Sequence, residues 1–531
     1  MVNETRNTYY FDTNGKLAKI KDGNEINTTI TRDANKITLV KDNETSPSVI
    51  TLDSQGRVTS SIDYGGKENK FFYGANGELS KVENDEGRNV NYTYNLNKNI
   101  SKIETARGKV FYEYDDKNRI TKETDSAGNS AILEYNDNYE TGIITITRTD
   151  RNGNKSYITT DFFGNVLKTV DALGYEANYI YDDNRNLIKI VDKNGNVSNR
   201  TFNDMNLVTS LTDSEGISSS IDYDQNGNAI KIALQNGAVR NFDYDANNLV
   251  IKSVSASGAV STYAYDGKGN VISETIEGIG TINYEYANDL LVKVIDVNGL
   301  ETKLSYNAND YLEYSIDHDG KKTEYFYDSL NRLTSTKDYN GRVTTYSYDT
   351  RDNLIEKEYA NGSKVFYDYD IRNNLTKITN SLGDSVSYEY DKEGNLLKTI
   401  GEKGEVTTYV YDAVYNLKRV TNPEGASVSY EYDGNGNVIK TTLPNGGTIT
   451  NTYYKNNLLR TSTGANGNKT TYYYDNVNQL TKTVDAQGRE TNYQYDISGN
   501  MIKVTNNAGR RHKGTVLLCW QNCPFAFQEM F

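Results

Sequence analysis

Glycines stand at positions 174, 195, 216, 237, 258, 278, 299, 320, 341, 362, 383, 404, 425, 446, 467, 488 and 509, and every interval is 21 residues except one of 20. So regular a spacing restricts the chain to stacked copies of one small supersecondary unit, because a fixed period of about 20–50 residues is the signature of repeat architectures. A second clock runs in step with the first. Seven residues after most of these glycines comes an aromatic followed by Asp. The pairs include Tyr181-Asp182, Tyr223-Asp224, Tyr327-Asp328, Tyr348-Asp349, Tyr369-Asp370, Tyr390-Asp391, Tyr411-Asp412, Tyr432-Asp433 and Tyr495-Asp496. The glycines in phase with them include Gly195, Gly216, Gly320, Gly341, Gly362, Gly383, Gly404, Gly425 and Gly488. Upstream the same phase is weaker but legible at Phe11-Asp12, Leu52-Asp53, Tyr73-Gly74, Tyr94-Asn95, Tyr114-Asp115 and Tyr135-Asn136. About four extra residues fall between Tyr135 and Asp161. The spacing predicts about 24 units over residues 1–509, strongest over 171–509, with a tail outside the repeat at 510–531.

Each unit reads as two strands and two turns. Leu396 to Ile400 is an aliphatic strand, Gly401 to Gly404 a turn, Val406 to Tyr411 an aromatic strand, and Asp412 opens the next turn. By the period of two, Thr407, Tyr409 and Tyr411 share one face and Val406, Thr408 and Val410 the other. Asn422-Pro423-Glu424-Gly425 carries the type I turn preferences at its first, second and fourth positions. A Gly after such a turn suits the left-handed residue of a three-residue hairpin loop. The Asp after Tyr can accept from a backbone N–H two residues on. The roles predicted are therefore packing area for Tyr, strand termination for Asp and chain reversal for Gly. The fold class is all-β: tandem hairpins of about 21 residues forming one long antiparallel sheet.

Composition agrees with this reading and narrows the function. The chain holds 45 Tyr and 42 Gly but one Trp, two His, two Cys, four Met and four Pro, which mixed globular domains rarely combine. Its 36% hydrophobic content is low, yet disordered chains lack the aromatic and β-branched residues abundant here. A net charge of −14 disfavours nucleic acid and anionic lipid as partners. No apolar run reaches the roughly 18 residues of a membrane span, and Met1 to Tyr10 lack the apolar stretch of a secretory signal.

Candidate chemistry is sparse. Outside the tail the only histidine is His318, at a turn position in Asp317-His318-Asp319-Gly320, so a nucleophile–histidine arrangement has little to build on. Asp recurs by register, which a turn explains better than a paired-carboxylate hydrolase does. Asp192-Lys193-Asn194-Gly195-Asn196 and Asp224-Gln225-Asn226-Gly227-Asn228 resemble the start of a calcium loop but lack its distal Glu, and they read as turns. No cofactor is expected, and the chain is expected not to be an enzyme. Rows of Tyr could stack on sugars, making a carbohydrate-binding surface adhesin the alternative, although packing between rungs uses the same rings.

The pattern from Gly394-Asn395-Leu396-Leu397-Lys398 through Tyr409-Val410-Tyr411-Asp412 resembles the YD repeat of Rhs proteins, a family of bacterial polymorphic toxins, wall-associated proteins, toxin-complex shell subunits and teneurins. The resemblance covers roughly residues 10 to 509. It implies a sheet strip wound as a spiral into a hollow shell, which in several members encloses a C-terminal toxin domain. It also implies a secreted or cell-envelope setting for the full-length protein and an encapsulated polypeptide as partner. Toxin-bearing members end in a segment with an Asp-Pro motif for self-cleavage. Here the prolines follow Ser46, Asn422, Leu443 and Cys523, so neither that motif nor a toxin is expected. About 48 strands at ~4.8 Å make a strip roughly 230 Å long. Around a folded cargo of about 150 residues, which needs a circumference of roughly 150 Å, that strip passes about one and a half times. A partial shell is the expectation, consistent with a piece of a longer protein or a gene remnant.

After Gly509 the pattern breaks. Val516 stands where the next aromatic is due, and Trp520, Cys519, Cys523 and His512 all lie within the last 22 residues. Three readings apply: a metal site on His512, Cys519 and Cys523, which falls short of the four ligands of structural zinc; a variable-region junction; or a frameshift or truncation, which the sequence favours.

Overall fold

The computed structural model describes residues 8–21, 26–42, 44 and 46–506. They form 48 strands, from Thr8–Phe11 to Met501–Asn506, and no helix. All belong to one antiparallel sheet in which each strand pairs with its neighbours in sequence. The all-β hairpin array expected from the spacing is the fold observed.

The 21-residue clock has a simple structural origin. Strand Leu417–Thr421 has five residues and strand Ser427–Tyr432 has six, and a five-residue turn follows each, at 422–426 and 433–437. We call the turn after the aliphatic strand the Gly turn and the turn after the aromatic strand the Asp turn. Both close alike. In the Gly turn Asn422 N–H donates to the Ala426 carbonyl (2.9 Å) and Gly425 N–H to the Asn422 carbonyl (3.0 Å). Gly425 has φ +82°, the left-handed residue that completes a type I turn in a three-residue hairpin loop. In the Asp turn Asp433 N–H donates to Asn437 (3.0 Å) and Gly436 N–H to Asp433 (3.1 Å). The left-handed position there is held mostly by Gly, Asn and Asp, as at Asn373 and Asp352, and by the larger side chains Lys98, Arg185 and Tyr415, the last at φ 70°.

Beyond most Asp turns the ladder slips by one residue: Tyr411 pairs with Leu417 but Val410 with Arg419. Such a bulge bends the strand and raises its twist, and its regular recurrence coils the strip. One face carries cross-strand charge pairs, such as Lys440 donating to Glu431 (2.7 Å) and Lys398 to Glu389 (2.8 Å). The other carries the tyrosines. The described hydrophobic residues that are buried are three alanines, Ala131, Ala177 and Ala238. The chain exposes 32832 Å², against roughly 19,000 Å² for a compact protein of this size. The sheet is therefore a single layer.

Departures from the clock are visible as altered hairpins. The extra residues after Tyr135 lengthen one hairpin into Ser130–Asn138 and Ile143–Thr149. At the 20-residue interval, Val271–Ile276 turns into Gly280–Ala287 through three residues rather than five.

The strip winds more tightly than the cargo-based expectation of one and a half turns. The turn between Leu187–Val191 and Val197–Phe202 meets the turn between Ser427–Tyr432 and Val438–Thr442, 23 strands further on. The same interval separates Asp213 from Asn456 and Gln235 from Asn476. At ~4.8 Å per strand the circumference is about 110 Å, so 48 strands make about two windings. Contacts between the turns set this radius, and strand spacing alone could not have supplied it.

Candidate functional site

The repeat positions singled out in the sequence sit at two recurring structural points. Each Asp of a Tyr-Asp pair opens an Asp turn, and its Oδ1 accepts from the backbone N–H groups two and four residues on. Asp182 accepts from Asn184 (2.9 Å) and Asn186 (2.8 Å), Asp433 from Asn435 (3.0 Å) and Asn437 (2.9 Å). Asp224, Asp328, Asp349, Asp370, Asp391, Asp412 and Asp496 do the same. Bonds from the Asn186 amide and backbone hold the Asp182 carboxyl below its ordinary range. The glycines Gly195, Gly216, Gly320, Gly341, Gly362, Gly383, Gly404, Gly425 and Gly488 take the left-handed position of the Gly turns.

The tyrosines do more than supply packing area. Strands Leu417–Thr421 and Ser427–Tyr432 share three ladder pairs and then diverge. Across that opening the Tyr432 hydroxyl donates to the Leu417 carbonyl at 2.7 Å, fifteen residues back. The same bond joins Tyr181 to Val166, Tyr223 to Val208, Tyr327 to Leu312, Tyr348 to Leu333, Tyr390 to Leu375 and Tyr495 to Leu480. Tyr369 and Tyr411 end their strands at the equivalent place. A carbonyl left unpaired by the ladder is thereby satisfied, and burial raises the pKa of Tyr432.

The feature the sequence did not disclose is the seam. Here the Gly turns of the first winding meet the Asp turns of the second through side chains. At its clearest point the bonding is reciprocal. Asn194 donates to Asp433 (2.9 Å), Asn435 donates to Asp192 (2.7 Å), and the Gly434 N–H donates to the Asn194 side chain (2.9 Å). One repeat on, Lys455 N–H donates to Glu215 (2.6 Å) and Asn456 to Asp213 (3.2 Å). Ion pairs reinforce the line: Arg88 with Asp352 (2.6 Å), Arg151 with Glu393 (3.2 Å) and Lys67 with Asp310 (3.2 Å).

Asp150 is the most enclosed carboxylate of the seam, 5% exposed. Burial pushes its carboxyl up, but bonds donated by Tyr415, Asn154 and Asn152 outweigh burial and hold it below the ordinary range. Burial and the bond to Asp150 push the Tyr415 hydroxyl up to about 12. Sequence spacing marks Asp150 and Tyr415 only as turn residues; that they meet, 265 residues apart, follows from the winding.

The remaining candidates resolve as turn residues. His318 is half exposed, 3.5 Å from Asp319. The Asp192 and Asp224 loops are Asx-closed turns. Among the described residues no group of three or more His, Cys, Asp or Glu side chains is placed to hold a metal ion. His512, Cys519 and Cys523, with the rest of the tail, lie outside the described residues.

A single-layer β-strip wound on itself and fastened turn to turn is a wall-forming repeat protein. The RHS Repeat family model matches residues 244–277, 327–364, 369–406, 390–426, 411–448, 453–490 and 474–511, and those stretches carry that repeat. None of the curated proteins matches it. Among solved structures, the crystal structure of TcdB2-TccC3-TEV shares the fold, with a TM-score of 0.52, 13% identity, and coverage of 91% of this chain and 31% of that one. A Photorhabdus luminescens Tc holotoxin pore with a mutated TccC3 overlays with a TM-score of 0.47 and 12% identity, over 94% of this chain and 30% of that one. The chain thus spans about a third of the length of the solved chains it matches.

Proposed function

We propose that the chain is a non-catalytic wall segment of an Rhs shell, of the toxin-delivery or cell-surface kind, whose lumen holds polypeptide in a non-globular form. The seam carries this reading, because it converts a ribbon into a tube. A circumference of about 110 Å gives a backbone radius near 18 Å. Side chains on the inner face leave a lumen roughly 12 Å in radius. A folded domain of about 150 residues, with a radius of gyration near 15 Å, is too wide for it, whereas an extended chain or a single helix about 10–12 Å across fits. The wall itself supplies no cleavage motif or toxin in this reading, and the full-length protein acts outside the cytoplasm or at the envelope.

Protease protection tests the proposal. An unstructured polypeptide carrying protease sites is co-produced with the full chain and recovered in complex with it. Enclosure predicts that its cleavage is slowed about tenfold or more relative to the free polypeptide, as expected when cleavage requires opening of the wall. It also predicts that Arg88→Glu combined with Arg151→Glu restores the rate. Failure to recover a complex, or cleavage at the free rate in it, contradicts enclosure.

A further inference from the structure

The two rims of the wound strip repeat the chemistry of the seam with no partner across them among the described residues. In the seam, the third residue of a Gly turn and the third residue of an Asp turn are both Asn, and each donates to the Asp that opens the opposite turn, Asn194 to Asp433 and Asn435 to Asp192. In the first winding the Asp turns opened by Asp182, Asp224 and Asp245 carry the same two residues, with Asn184, Asn226 and Asn247 exposed at the third position. The Gly turns of the second winding do so at exposed Asn298 and Asn340, in turns opened by Asp296 and Asp338.

We propose that these rims dock onto one another in separate copies of this chain, the Gly-turn rim of one seating the Asp-turn rim of the next, so that copies stack along the spiral axis. This goes beyond the wall-segment reading and does not depend on any cargo. Three observations carry it. The interface already exists once inside each molecule, and the free rims continue it. Turns on either rim lie two strands apart, about 9.6 Å, so one clasp in register brings its neighbours into register. The contact pairs a neutral amide with a carboxylate already bonded to backbone N–H groups, so it adds no charge at the interface of a molecule carrying −14. Two different surfaces meet, which makes the contact head-to-tail and lets it propagate.

Sedimentation velocity on the full chain from about 1 to 100 µM tests it, at concentrations that bracket micromolar association. Growth from monomer to dimer and longer species with concentration is expected. Asn184→Asp, Asn226→Asp and Asn247→Asp together set carboxylate against carboxylate and are expected to weaken association about tenfold or more, with circular dichroism unchanged. Asn298→Asp with Asn340→Asp, on the opposite rim, should weaken it as well. A single monomeric boundary at every concentration overturns the proposal, as does association that neither set of substitutions weakens.

Discussion

Asn435 donates a 2.7 Å hydrogen bond to Asp192 across 243 residues of chain, with no backbone ladder between their strands. Seam bonds of this kind distinguish a wound wall from a free ribbon. Asn435→Asp replaces the donor by a like charge, and like charges juxtaposed at an interface are strongly disfavoured. Amide exchange in the turns at 192–196 and 433–437 should quicken while that of Leu396–Ile400 does not. Equal protection in the variant and the wild type counts against the seam.

The Asp150–Tyr415 contact makes seam stability depend on pH at both ends of the scale. Tyr415 titrates higher in the folded protein, at about 12, than its ordinary value of 10.0. The unfolded chain therefore loses this proton first, and the contribution is complete below about pH 10 and lost between there and 12. Asp150 is held below its ordinary 3.8, so its contribution is complete above that pH and lost as pH falls through the lower folded value. Tyr415→Phe removes this contact's share of the alkaline loss and leaves the buried Asp150 one donor short, at about 1–3 kcal/mol. Urea melts at pH 7 and pH 11 check both points.

Much of this wall was legible in the sequence, and the missing part has a physical reason. The strand bounds Leu396–Ile400 and Val406–Tyr411 follow from alternation and turn chemistry, which are local. So do the left-handed Gly425 and the Asx-turn at Asp412. The Tyr432 to Leu417 bond was missed because a tyrosine in a β-pattern reads as packing area, although the constant separation of Tyr from the aliphatic residue fifteen back was in plain view. The winding number could not be read at all. It depends on which turns meet after 23 strands, a sum of small twists that no residue encodes. Tyr415 was the nearest thing to a signal, the one aromatic at a position that other copies fill mostly with Gly, Asn or Asp.

The tyrosine hydroxyls are predicted to act individually. Tyr432→Phe leaves the Leu417 carbonyl without its donor and should cost about 0.5–1.5 kcal/mol. Tyr411→Phe, where the equivalent bond is not part of the structure described, should cost less. Paired chemical denaturation of the two variants measures the difference, and equal costs would mean that the hydroxyl bond contributes nothing.

Removal of residues 342–362, one full period, should leave an array that folds with unchanged β-sheet signal, because each repeat contacts its neighbours in the same way. Removal of ten residues from the same region breaks the alternation of aliphatic and aromatic strands and should unfold the surrounding hairpins. Circular dichroism and limited proteolysis of the two deletions decide it; equal tolerance contradicts the repeat unit.

Small-angle X-ray scattering of the chain in solution tests the central claim, a strip wound on itself, most directly. Two windings of about 110 Å circumference predict a maximum dimension near 70–80 Å, with the excess of mid-range distances that a hollow wall gives. A straight ribbon of the same 48 strands would instead extend to roughly 230 Å, and that result would contradict the seam, the lumen and the shell together.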